Sequence, residues 1–182
     1  MLTWKRAIIM FVIGGIAGAI SDGFHNISGI LYYTDPWILN TAWWVPILFG
    51  SATLAVAYGH LYYDRVFHVS SKNLSWSEVV TGLIAFLMVY AASAFLSYSD
   101  FGKTIVLSIL VFLMAWRWNR SWHAIPPLVI TVIIGCTIES TLSYIGEFHY
   151  TYPDFLRIPM WLPLLYAAAS IAVGNWARKM AK

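Results

Sequence analysis

Six stretches of the chain are apolar almost without interruption, at about 7–24, 42–62, 79–96, 104–118, 126–144 and 160–177. A bilayer core of about 30 Å needs roughly 20 mainly apolar residues per helix, and these runs have that scale. They are continuously apolar rather than alternating, which favours helices over a membrane barrel. Composition agrees: 60% of the 182 residues are apolar and only 10% charged, where a soluble domain carries about a quarter. The reading is an all-α integral membrane protein, with residues 1–182 forming a single domain of six transmembrane helices. The first run follows Lys5-Arg6 but continues into Asp22 and His25 without a small-residue cleavage site, so it is retained as a span. A soluble enzyme, a disordered chain and a basic nucleic-acid module are excluded, the net charge being only +3. The single Cys136 forbids a disulfide framework.

The basic residues orient the spans. Lys5, Arg6, Arg65, Lys72, Arg117, Arg120, Arg178, Lys179 and Lys182 fall at one set of span ends, leaving only Lys103 and Arg157 of the 11 for the other. The positive-inside rule puts both termini in the cytoplasm. Trp4, Trp76, Trp116, Trp118 and Trp122 mark the inner ends and Tyr32, Tyr33, Tyr98 and Tyr150 the outer ones, where amphipathic rings settle.

Sliding the chain by 117 residues aligns 13–65 with 130–182 without a gap, with fourteen identities. Gly18 meets Gly135, Gly29 meets Gly146, Tyr33-Thr34-x-Pro36 meets Tyr150-Thr151-x-Pro153, and Trp44-x-Pro46 meets Trp161-x-Pro163. Spans one and two thus resemble spans five and six. Both pairs start inside, which makes the internal repeat parallel. Each half predicts an outward span, a turn at Thr-x-Pro packed on the bundle, and a helix opening near Trp-x-Pro, where proline is tolerated.

Asp22 falls opposite Glu139 in this register. An acid inside a span costs at least ~2.5 kcal/mol at the centre and faces the protein interior or a cavity. Asp22 lies ~24 Å of helix beyond Arg6, and Glu139 ~20 Å beyond Pro126, at nearly equal depth. His25 and Asn26 follow Asp22 on one face, and Ser140 and Ser143 accompany Glu139. Two polar faces at matched depth predict the polar end of an intramembrane cavity, with mutual hydrogen bonding between helices as the plainer alternative. Small residues such as Gly14, Gly15, Gly18, Ala91 and Ala92 allow close helix approach. His60, Asp64 and His68 share a helix face, but three convergent ligands are not evident, so no metal is expected. No nucleophile with a supporting base is visible, so no catalytic residue is assigned.

At these motifs the chain resembles the Insig (insulin-induced gene) family of membrane proteins, as a compact microbial homologue. The resemblance is carried by Tyr150-Thr151-Tyr152-Pro153-Asp154-Phe155-Leu156, Trp161-Leu162-Pro163, Gly174-Asn175-Trp176-Ala177-Arg178 and Ala42-Trp43-Trp44-Val45-Pro46, and it runs from about residue 7 to 180. It implies a non-enzymatic protein that holds a diacylglycerol- or sterol-like lipid among its helices and acts with a membrane-protein partner. It also implies that Asp154 is the partner-contacting acid, and that Ser140 stands where the family has a glutamine. The expected lipid-binding set is Asp22, His25, Asn26, Trp44, Glu139, Ser140, Ser143, Tyr144, Tyr150 and Trp161. No cofactor other than a bound lipid is expected, a homo-oligomer is, and a small proton-coupled transporter using Asp22 and Glu139 is the second reading. The location is the cytoplasmic membrane in a prokaryote or the endoplasmic reticulum membrane in a eukaryote.

Overall fold

The computed structural model describes residues 1–70 and 73–182, so Lys72 of the charge pattern lies outside the described residues. Six helices occupy the six apolar runs: α1 (Trp4–Ile27), α2 (Val45–Val66), α3 (Trp76–Phe95), α4 (Asp100–Trp118), α5 (Ile125–Ile145) and α6 (Leu162–Met180). Their starts follow local chemistry. The Thr3 hydroxyl accepts from the Arg6 amide, Ser75 and Glu78 form a reciprocal capping box, and the Ser99 hydroxyl accepts from Gly102. α2, α5 and α6 carry proline in the first turn, where its missing N–H costs nothing.

The helices are not equivalent. α1 to α5 are long and apolar enough to cross a bilayer, whereas α6 is outside that group. Thirteen of the 19 residues of α6 are buried, and it packs against α2, α3, α4 and α5. A helix shielded by its neighbours needs no greasy exterior, so α6 is built from Ala167, Ala168, Ala172, Gly174 and Ala177 with Ser170 and Asn175 among them. The others turn large apolar side chains outward: Ile9, Ile13, Ile16 and Ile20 on α1, Ile105, Ile109 and Phe112 on α4, Ile130, Ile133 and Ile134 on α5. Such a belt is tolerable only against hydrocarbon. The chain is a multi-pass membrane protein.

The connections after α1 and α5 add a small strand pair to the all-helical architecture. Each contributes a three-residue strand, β1 (Leu31–Tyr33) and β2 (Phe148–Tyr150), paired antiparallel with Tyr32 opposite His149. Leu31, Tyr33, Phe148 and Tyr150 point into the core while Tyr32 and His149 point out. Positions 117 residues apart do matching work here. Gly29 and Gly146 turn the chain out of the helices at φ +73° and +87°, a region open to glycine. The Thr34 hydroxyl donates to the Gly146 carbonyl and the Thr151 hydroxyl to the Gly29 carbonyl. Leu39 and Asn40, and likewise Leu156 and Arg157, are left-handed. At the opposite end Arg6 donates to the Met180 carbonyl at 2.5 Å, so the two termini meet. There Arg178 also grips Asp64 with two bonds of 2.6 and 2.9 Å.

Close approach is decided by glycine at the α2–α6 contact. A Cβ on Gly174 would stand 2.6 Å from His60 Cε1, whereas one on Gly59 would meet nothing within 4 Å. Gly174→Ala is expected to destabilise by about 1–3 kcal/mol through overpacking. Gly59→Ala should be neutral or gain up to about 1 kcal/mol from helix propensity. Parallel thermal unfolding of both variants in one detergent separates these outcomes.

Candidate functional site

Beneath the two-stranded sheet the intramembrane acids are held by tyrosine. The Tyr33 hydroxyl of β1 donates to Asp22 Oδ2 at 2.7 Å, and Tyr90 of α3 reaches Oδ1 at 3.4 Å. On the related side Tyr150 of β2 donates to Glu139 Oε2 at 3.1 Å, and Tyr166 of α6 donates to Oε1 at 2.9 Å. Each strand phenol serves the acid eleven residues before it. Burial and the facing carboxylates push the Tyr33 and Tyr150 phenols above the ordinary tyrosine range, so both remain donors. Phe148 stands edge-on between the two phenols, 5.6 Å from the Tyr33 ring and 5.7 Å from the Tyr150 ring. The two acid sites are thereby joined through the strand pair into one cluster.

His25 extends this cluster toward α3 and α6. Its Nε2 lies 2.8 Å from Ser93 Oγ, its ring stacks on Tyr90 at 4.8 Å, and Trp161 leans on it at 5.3 Å. Trp161, only 1% exposed, donates its indole N–H to Asp100 Oδ1 at 3.1 Å. Trp161 and Tyr150 then form one wall of a cleft of about 510 Å³ at this end of the bundle, completed by Phe95, Tyr98, Asp100 and Lys103. Lys103 is only 8% exposed as a residue, and it lines the cleft without a hydrogen bond or ion pair to its ammonium among the described residues. The arrangement offers one cation, a carboxylate and a phenol against aromatic walls. It can seat a small polar group whose remainder is apolar.

Nearly the whole chain is matched by curated relatives. It is 27% identical over 194 residues to the insulin-induced gene 1 protein of Gallus gallus, covering 98% of this chain and 75% of that protein. With the corresponding protein of Danio rerio the figures are 25%, 97% and 72%. Over nearly its whole length the chain is thus similar to Insig proteins. No protein-family model matches it. The fold is that of a mycobacterial Insig homologue, MvINS from Mycobacterium vanbaalenii, with a TM-score of 0.88 at 20% identity over 99% of this chain and 96% of that one. A cross-linked trimer of MvINS superposes equally well.

The structure sorts the expected site residues into three groups. Asp22, His25, Glu139, Tyr150 and Trp161 come together as described, and Asn26 joins them by donating to the Asp22 carbonyl at 3.1 Å. Trp44 packs edge-on against Tyr33 at 5.6 Å, behind the cluster. The third group points elsewhere. Ser140 and Ser143 donate to the carbonyls of Leu156 and Arg157, tying α5 to the following loop. Tyr144 is 72% exposed beneath the Arg157 guanidinium. Of the ten, only Tyr150 and Trp161 line the cleft. Asp154, exposed in the loop, accepts from the Met160 amide at 2.8 Å. His60 and Asp64 of the metal-like face are taken by Ser170 and Arg178.

Sequence reading missed Tyr33, Tyr90, Tyr166, Ser93, Asp100 and Lys103. The repeat register held a signal for the first, since Tyr33 and Tyr150 share the same spacing from Asp22 and Glu139. For Tyr90 and Tyr166 there was none. Tyr166 stands opposite Phe49 in the repeat, and α3 supplies the missing hydroxyl on the Asp22 side through Tyr90. Removing one donor leaves a buried carboxylate short of a partner. Tyr166→Phe and Tyr33→Phe should each lower stability by about 1–3 kcal/mol. An exposed phenol, Tyr62→Phe, should leave the unfolding midpoint unchanged in the same chemical denaturation series.

Proposed function

We propose that this chain is a non-enzymatic, Insig-type membrane protein that holds a neutral lipid of the diacylglycerol or sterol kind, head inward, against the carboxylate–tyrosine cluster. The observation that carries the reading is the cleft whose wall, Tyr150 and Trp161, is also the wall of the cluster. A lipid hydroxyl or ester there meets the Lys103 ammonium and Asp100, while its hydrocarbon lies on Phe95, Tyr98 and the exterior of the bundle. A lysine that lines a mostly apolar cleft without a protein partner favours a ligand that brings an acceptor to it.

Two repeat-related hairpins, α1–α2 and α5–α6, clasp at the β1–β2 pair, and all six helices span the bilayer with the basic end in the cytoplasm. The matched glycines, threonines and strand phenols support the repeat, and the charge distribution supports the orientation. The chain self-associates and regulates a membrane partner through its outward faces. Its likeness in fold to the mycobacterial homologue crystallised as a cross-linked trimer supports the self-association. This reading is preferred to a proton-coupled carrier because α1 and α5 run unbroken through Asp22 and Glu139, where carriers place broken helices.

Purification in a mild detergent followed by lipid mass spectrometry tests the proposal. A hydroxyl-bearing neutral lipid should be enriched over the bulk membrane, and Lys103→Met should lower its recovery about tenfold, as for one lost hydrogen bond to a charged group. Recovery of the bulk lipid mixture alone, unchanged in the variant, would overturn the reading.

A further inference from the structure

A second cleft, of about 500 Å³, lies at the basic end of the bundle between the α4–α5 connection and the C-terminal part of α6. Arg117, Arg120 and Arg178 all line it, with Trp118, Asn119 and His123. Five buried side-chain nitrogens or oxygens lack a hydrogen-bond partner among the described residues, and three belong to this one cleft: Trp118 Nε1, Asn119 Nδ2 and His123 Nδ1. The indole and amide nitrogens can only donate. The Asn119 carbonyl oxygen is already taken by Asn175 at 3.4 Å, which leaves its amide nitrogen as the free end.

The charges around these donors are unequal. Arg178 is neutralised by Asp64, and Arg117 meets Glu78 at 3.2 Å while lying over the Trp118 ring. Arg120 makes no ion pair among the described residues. Its Nε donates to the Trp116 carbonyl at 2.7 Å, and the guanidinium is stacked on Trp116 at 4.7 Å. That packing orients the fork and leaves its remaining N–H groups open. A cleft with unspent donors, a free guanidinium and a second one half-engaged selects an anion with several oxygens. The guanidinium fork fits phosphate. Exposed Trp76, Trp116 and Trp122 ring this end at the depth of lipid headgroups, so the phosphate arrives on a lipid.

We infer that the cleft formed by Arg117, Trp118, Asn119, Arg120 and His123 is a binding site for the phosphomonoester of an anionic phospholipid headgroup, separate from the neutral-lipid cleft at the other end.

The test uses the full chain in phosphatidylcholine nanodiscs, titrated with dioctanoyl phosphatidylinositol 4-phosphate and read by native mass spectrometry. One phosphoinositide per chain is expected, bound at least tenfold more weakly by Arg120→Gln and also weakened by His123→Gln, with Arg120→Lys between Arg120→Gln and the parent. Neutral lipid co-purifying with the chain should be the same in all variants, which shows that they fold and keeps this inference distinct from the proposed function. Equal binding of dioctanoyl phosphatidylcholine, or phosphoinositide binding unchanged in Arg120→Gln, would overturn the site. Inorganic phosphate binding as tightly as the phosphoinositide would overturn the lipid as its source.

Discussion

A carboxylate in hydrocarbon must find its partners inside the protein, and this one requirement organises the upper half of the bundle. Asp22 and Glu139 each need two donors, and each draws one from a strand and one from a neighbouring helix. Satisfying them ties β1 and α3 to α1 and ties β2 and α6 to α5. The sheet is short because its task is local: three residues per strand deliver one phenol each to an acid and close the remaining backbone groups on each other. Threonine hydroxyls then bind the carbonyls of the opposite turn, so the two connections hold each other.

The two stretches related by 117 residues differ where the chemistry differs. Gly18 and Gly135 admit the rings of Phe49 and Tyr166 respectively, related positions with one hydroxyl between them. The half with the phenol completes its acid from α6, whereas the half with phenylalanine recruits Tyr90 from α3, a helix outside the repeat. Helix α6 is central for a separate reason. Its exterior is other helices, and its small residues let four of them approach.

The two ends of the bundle present opposite recognition chemistry. One end buries acids among phenols and opens a cleft walled by aromatic rings, with a single ammonium. The other gathers guanidinium groups and unspent N–H donors within a ring of exposed tryptophans. Between them the surface is apolar, with Ile, Val, Leu and Phe side chains turned outward along the helices.

Much of this was legible in one dimension. Apolar run length located the helices to within a few residues, because a bilayer fixes the length of its spans. Likewise the shift of 117 residues paired Asp22 with Glu139 and Gly29 with Gly146, and both glycines turn the chain at positive φ. Which side chains reach those acids was another matter. Tyr90 and Tyr166 lie far along the chain from their partners, and nothing local distinguishes an inward tyrosine from an interfacial one. Ser140, Ser143 and Tyr144 read as neighbours of Glu139 by proximity, yet the rotation of α5 and the left-handed turn at Leu156 and Arg157 direct them to a loop or to the exterior. Where the chain enters apolar surroundings can be read in one dimension, since that depends on composition summed over a helix. Tertiary structure alone decided which polar groups meet and which stay unpaired, since that depends on how helices distant in sequence rotate against one another.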